Sequence, residues 1–375
     1  MKTIRRLIYA EILRSVGFVA LAFLLLFFFF DLVDQLGDLS QGAAKGYTLS
    51  YVLLCVALQV PSHLYALLPI AVLIGAIYVM ARLAESSEYT ILRTSGLGPR
   101  RALDTLLALG LGFVALTFVI GDYVAPAANQ TAQSLQARFM GDITVGHTGA
   151  WMKDKQDTQS FSVNVGALTA DSVMSRIRIF GVDAQTNRPL LVVRAAHGRF
   201  GDDGAWILQD VERRDYTQAG SAQAGGGEQP KATIERLPEW RWPTAISSGM
   251  VAAALLDPDQ MQTISLFQYI RHLQSNGQSA QRYQIEFWRK VFYPLSCLVM
   301  MVLALPFAYL HFRSGNITGY VFLGVLVGIS FFLLNNVFGF VGNLRNWEPW
   351  MAAAAPGFIY SLLSLGAFVW LVLRQ

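Results

Sequence analysis

Six apolar stretches, near residues 12–33, 58–80, 103–122, 290–311, 317–341 and 351–373, fall three and three on either side of a polar block at 123–280. A helix needs roughly 20 mostly apolar residues to cross a hydrocarbon core, where its backbone must satisfy its own hydrogen bonds. The chain therefore reads as an α-helical membrane protein with six transmembrane helices (3+3) and an extramembrane domain spliced between the third and fourth. Composition agrees. Hydrophobic residues make up 54% and charged residues 14%, where a soluble domain carries nearer a quarter charged. The net charge of +4 is small, and basic residues do not cluster beyond the membrane ends, which argues against nucleic-acid binding.

Lys2, Arg5 and Arg6 precede the first apolar stretch as in a signal peptide, but Asp31-Leu32-Val33-Asp34 follows it instead of a small-residue cleavage site. The first span is expected to be retained. Residues 51–81 hold no Asp, Glu, Lys or Arg and include Pro61 and Pro69, so a kink or an interfacial first turn is expected there. With the N-terminus in the cytoplasm, the cytoplasmic ends hold Lys2, Arg5, Arg6, Arg14, Arg82, Arg93, Arg100, Arg101, Arg313 and Arg374. The short outer loops then hold only Lys45 and Arg345 as basic residues, against a counterweight of Arg282, Arg289 and Lys290. The positive-inside bias puts both termini inside and the polar block outside.

That block alternates polar and apolar residues in short runs: 161–165, 174–180, 190–193 and 206–211, with turns at 183–189 and 201–204. Short strands at this spacing predict an all-β sandwich or roll. Phe161, Val163, Ile177, Ile179 and Trp206 are candidate inner residues, and 219–229, rich in Gly, Ala and Gln, reads as a loop. Leu266, Tyr269, Ile270 and Leu273 then recur at helical spacing, predicting one amphipathic helix.

The loop between spans two and three, Arg82 to Gly96, is built of helix formers and is broken by Gly96 and Gly98-Pro99. Leu83, Ile91 and Leu92 give it an apolar side; Glu85, Glu88 and Arg93 give it charge. It reads either as an interfacial helix on lipid headgroups or as a coupling helix seated on a cytoplasmic partner. Its two carboxylates favour the partner, because the inner leaflet is anionic.

The chain has no phosphate-binding loop, GxSxG or HExxH. Cys55 and Cys297 lie in apolar segments, and the five histidines lack metal-ligand spacing, so neither a metal nor any other cofactor is expected. Almost no buried charge is expected inside the spans after Arg14, which weighs against ion-coupled transport and for energy supplied by another subunit.

Four segments carry a resemblance: Asp34-Gln35-Leu36 with Gln41-Gly42; Ser87-Glu88 to Ser95-Gly96; Val124-Ala125-Pro126; and Leu256-Asp257-Pro258-Asp259 through Gly277-Gln278, Arg282-Tyr283-Gln284, Trp288 and Lys290 to Pro294-Leu295. In order and in this topology they resemble the LptF/LptG permeases of the lipopolysaccharide-exporting ABC transporter, with the LptG branch the nearer. The resemblance spans essentially the whole chain. It implies spans one to three with a coupling helix over 1–122 (helix at 84–95), a periplasmic β-jellyroll domain with a trailing helix over 123–280, and spans four to six over 281–375. It also implies an inner-membrane location and a heterodimer with an LptF-like permease. Two LptB-like ATPases would sit beneath, an LptC-like membrane-anchored β-jellyroll protein alongside, and lipopolysaccharide would be the substrate, extracted from the outer leaflet of the inner membrane. No enzyme activity of its own is implied.

Glu88 matches the family's coupling-helix carboxylate; Glu85, Leu92 and Arg93 are assigned to the same ATPase-facing surface, Arg93 through its placement five residues on. A lateral gate at spans one and five would use Phe23, Phe27, Phe30, Phe331 and Phe332. Some relatives place lysines just after span one, where they meet lipid phosphates. This chain has Gly37-Asp38 there, and Lys45 and Arg138 are the candidate phosphate contacts. Two alternatives stand beside this reading: a mechanotransmission permease that moves a periplasmic partner without lipid passage, and the paralogous LptF subunit.

Overall fold

Long charge-free runs impose long helices, because a backbone in hydrocarbon can only bond to itself. In a computed structural model describing residues 2–42, 47–86, 88–94, 98–140, 149–156, 158–169, 173–186, 188–201, 203–216, 232–255, 257–309 and 317–373, this produces α1 (Lys2–Gly42), α2 (Leu49–Glu85), α3 (Glu88–Thr94), α4 (Pro99–Val119) and α5 (Ala125–Met140) before the insert. Six helices are long and apolar enough to cross a membrane: Ile4–Gly37, Leu49–Glu85, Pro99–Gln136, Gln281–Tyr309, Thr318–Leu344 and Pro349–Trp370. Each extends past its apolar stretch, since propensity continues where hydropathy stops. Span two is helical through both prolines. The Tyr293 hydroxyl donates to the Ala66 carbonyl at 2.6 Å, tying span four to span two in this stretch.

The chain divides into two compact units. The first comprises Met1–Gly37, Val56–Asn129 and Gln281–Gln375; the second comprises Asp38–Cys55 and Gln130–Ala280.

In the first unit, span two is largely enclosed and span one largely exposed. The core joins Ile8, Ile12, Val16 and Ala20 of α1 to Leu68–Leu83 of α2, to Leu106 and Phe113 of α4, and to the later helices. Those are α9 (Ser296–Leu303), which follows α8 (Gln281–Phe292) in span four, then α10 (Ile317–Leu344) and α11 (Pro349–Leu373). Small residues let the helices close. A Cβ at Gly324 or Gly328 of α10 would lie 2.9 Å from Ile77 or 2.8 Å from Ile70 of α2.

In the second unit, six strands form one antiparallel sheet in sequence order: β1 (Ala150–Gln156), β2 (Gln159–Leu168), β3 (Met174–Asp183), β4 (Pro189–Phe200), β5 (Trp206–Tyr216) and β6 (Ala232–Trp242). The inserted all-β domain thus takes the form of a meander. Phe161, Val163, Ile177, Ile179 and Trp206 share one buried face with Met152, Val193, Leu208 and Trp242. Trp206 is fully buried; its indole N–H donates to the Ile246 carbonyl at 2.9 Å. The loop expected at 219–229 lies outside the described residues.

Two helices follow: α6 (Ser248–Leu255), whose Val251 joins the sheet core, and α7 (Thr263–Ser275), with Leu266, Tyr269, Ile270 and Leu273 buried. Beyond α7, Asn276 Oδ1 and Gln278 Oε1 accept the Lys155 and Lys153 backbone N–H groups of β1 at 3.0 and 3.2 Å. Side chains of this chain thus cover an edge that would otherwise invite foreign strands.

His272 of α7 is buried, and that burial holds its pKa below the ordinary 6.5 against the opposing pull of Asp154. The folded state then binds fewer protons than the unfolded one. The stability this contributes is fully present above pH 6.5 and is lost as pH falls below it, by at most about 1.4 kcal/mol per pH unit. Amide protection factors in the insert, corrected for the intrinsic exchange rate at each pH, are expected to fall between pH 7 and 5.5, and His272→Gln to flatten that dependence. An equal pH response in the variant would show that other groups carry it.

Candidate functional site

Two ends of the membrane unit carry the polar chemistry. At the first, α2 ends at Glu85 and a separate short helix, α3, begins at Glu88, so the expected single helix at 84–95 is two pieces. Glu88 in its first turn and Arg93 in its last complement the helix dipole. Tyr89 anchors α3: it is 4% exposed and meets the Tyr309 ring edge-on at 5.1 Å. Burial also pushes its phenol pKa up. Leu83 is buried in the same core and Leu92 packs against it. Glu85, Glu88, Arg93 and Ile91 face out, Ile91 being 62% exposed. The loop's expected apolar side therefore divides, with Leu83 and Leu92 inward and Ile91 joining the charged surface. Nearby, Arg82 of α2 donates to Glu11 of α1, an ion pair holding spans one and two together.

At the other end, His63 and Asp31 meet at 2.6 Å, and Phe27 stacks on the imidazole at 5.0 Å. Of the gate phenylalanines, Phe23 and Phe27 are half-buried and Phe30 is exposed on α1, while Phe332 is exposed on α10. Phe331 turns inward at 2% exposure, its ring 5.1 Å from Tyr360 and 6.4 Å from Tyr293. Adjacent positions on a helix point about 100° apart, so Phe331 and Phe332 cannot share a surface. Lys45 lies outside the described residues, and of Arg138 only the helical backbone is described.

The expectation that charge is nearly absent inside the spans is corrected. Asp122 and Lys290 are 7% and 5% exposed within spans three and four. A carboxylate and an ammonium at opposite ends of two hydropathy windows dilute into apolar averages, which is why composition hides them. Tyr89, Tyr309 and the Glu11–Arg82 pair were likewise silent in sequence, since each is defined by a contact across helices. Among the described residues, no group of three His, Cys, Asp or Glu is placed to hold a metal.

The arrangement offers an outward polar-and-apolar helix at one end and an aromatic face along span one. Residues 6–374 match the family model described as "Lipopolysaccharide export system permease LptF/LptG". The lipopolysaccharide export system permease protein LptG of Escherichia coli K12 is 30% identical over 352 residues, covering 92% of this chain and 90% of that protein. Its counterpart in Haemophilus influenzae is 26% identical over 377 residues, covering 100% and 97%. With the match running almost end to end through both helical halves and the inserted sheet, the chain belongs to the LptF/LptG family of lipopolysaccharide export system permeases.

Proposed function

We propose that this chain, an LptG-like permease of the lipopolysaccharide export ABC transporter, moves its substrate along span one and is driven through α3 by a separate ATPase. As a permease it is a non-catalytic transport subunit. Its work is mechanical: movement imposed on α3 is passed to the helices packed on Tyr89 and Tyr309, and so to the wall that touches lipid. The observation that carries the reading is the α1 surface. Phe30 at 54% exposure and Phe18 at 73% lie on a helix whose other side, Ile8, Ile12 and Val16, is buried against span two. An apolar aromatic wall suits the acyl chains of a large amphiphile. Phe23, Phe27, Phe30 and Phe332 form that wall, with Phe331 packed behind it, and Lys45 and Arg138 are the proposed phosphate contacts.

The placement of basic residues supports both termini in the cytoplasm and the insert in the periplasm of a bacterial inner-membrane protein. An LptF-like permease, a pair of LptB-like ATPases and an LptC-like β-jellyroll protein complete the proposed assembly.

A photocrosslinking amino acid at Phe27 or Phe30 is expected to trap lipopolysaccharide in intact membranes, and one at Phe331 to trap none. Adducts with phospholipid alone at both wall positions would overturn the transport path and favour a permease that moves a periplasmic partner without carrying lipid.

A further inference from the structure

Span three does not pass into α5 as a plain α-helix. Ile120–Val124 is a π-turn, in which the Ala125 N–H reaches back five residues to the Ile120 carbonyl. Such turns are rare and recur at functional sites. This one is held from two sides. The Lys290 ammonium, 5% exposed, donates to the Gly121 carbonyl at 3.4 Å. The Tyr65 ring presses so close to Gly121 that a Cβ there would lie 2.2 Å from it. Tyr65 in turn rests on Tyr293 at 5.1 Å. Arg289, the neighbour of Lys290, donates to Glu286 and to Asn336 Oδ1, both at 3.1 Å. The stretch Arg289–Tyr293 of span four thereby joins spans two, three, four and five around the π-turn. A well-packed Met would fill the Lys290 site at no loss of stability, because desolvating an ammonium offsets what its partners return. A charge kept inside a span points to function.

We propose that Lys290 is a positioning residue for transport: it locks the π-turn at Gly121 and so fixes the rotational setting with which span three continues into α5. If the lock is released, the extra residue in the turn is free to be absorbed, and one residue of register is about 100° of helix rotation. α5 would then no longer follow movement of the spans in one fixed orientation. The inference rests on the transport reading above.

The test uses the complete permease–ATPase assembly in proteoliposomes loaded with lipopolysaccharide, comparing Lys290→Met and Lys290→Arg with the native chain. Lys290→Met is expected to keep ATP hydrolysis within about twofold and to deliver about tenfold less lipopolysaccharide per ATP. Lys290→Arg, which keeps the donor, should restore most of the yield. The native chain reports on transport itself, and the ratio of variant to native reports on the lock. Full delivery by Lys290→Met overturns the proposal. So does a loss in which hydrolysis and delivery fall together without rescue by arginine, since that is a folding defect. If Lys290→Met yields no assembly, Lys290→Leu, which likewise lacks a donor, decides: assembly with normal hydrolysis and low delivery supports the lock, while full delivery or no assembly overturns it.

Discussion

Glu88→Lys is expected to strip an LptB-like ATPase from the purified complex and to cut export sharply while leaving the permease itself folded. Glu88 opens α3 with its side chain exposed, so reversing its charge removes no packing inside this chain. Tyr89 and Leu92 continue to hold the helix in place. If Glu88 meets a cation on the proposed partner, the loss falls on docking, where breaking such a charge pair costs about 2–5 kcal/mol. Retention of an LptB-like ATPase on tagged permease in mild detergent is expected to drop by at least about tenfold, and export with it. Glu85→Lys and Arg93→Glu are expected to weaken docking less, because Glu85 precedes α3 and Arg93 lies in its last turn. Unchanged thermal stability of the isolated chain would separate docking from folding. Normal ATPase retention and normal export in Glu88→Lys would remove α3 from the coupling path and return it to the role of a helix resting on headgroups.

Trp206→Ala is expected to unfold the insert while leaving the spans intact. The side chain is fully buried, meets Phe200 and Trp242 edge-on at 5.8 and 5.4 Å and caps the Ile246 carbonyl through its indole. Truncation opens a cavity and orphans that carbonyl, a loss of about 3–5 kcal/mol against a domain stability of about 5–15. Limited proteolysis and hydrogen exchange of the purified protein are expected to show cleavage and fast exchange confined to the insert. Trp206→Phe keeps most of the apolar area and loses the hydrogen bond, so it should cost about 1–3 kcal/mol. Protection equal to that of the native chain in Trp206→Ala would mean the sheet draws its stability from elsewhere.

The six spans and the inserted all-β domain were legible because both rest on periodicity. Charge-free length marks a span, and alternation marked β2 to β5. Two strands escaped. β1 alternates cleanly, with Ala150, Met152 and Asp154 buried between exposed neighbours, but its lysines and Asp154 disguise it. The β6 edge strand buries only Trp242 among its described side chains and carries Pro238, which an edge tolerates and a central strand does not. Of the proposed coupling surface, the carboxylates stand out in the loop's composition, and Glu85 and Glu88 are exposed. The outward turn of Ile91 was not, because which side of a two-turn helix faces the core depends on its anchor, Tyr89. The buried Lys290 was visible as a motif residue, but its reach to Gly121 is 169 positions back in the chain, and no local pattern encodes that.

The stitching of β1 sets an order on the life of a nascent chain. The Lys155 and Lys153 amides wait for acceptors 121 and 125 residues downstream, and those acceptors immediately precede span four. The first strand to leave the ribosome is therefore the last to be sealed. Until the second half of the protein is being threaded into the bilayer, the insert exposes a raw flank to whatever chaperone or stray polypeptide is at hand.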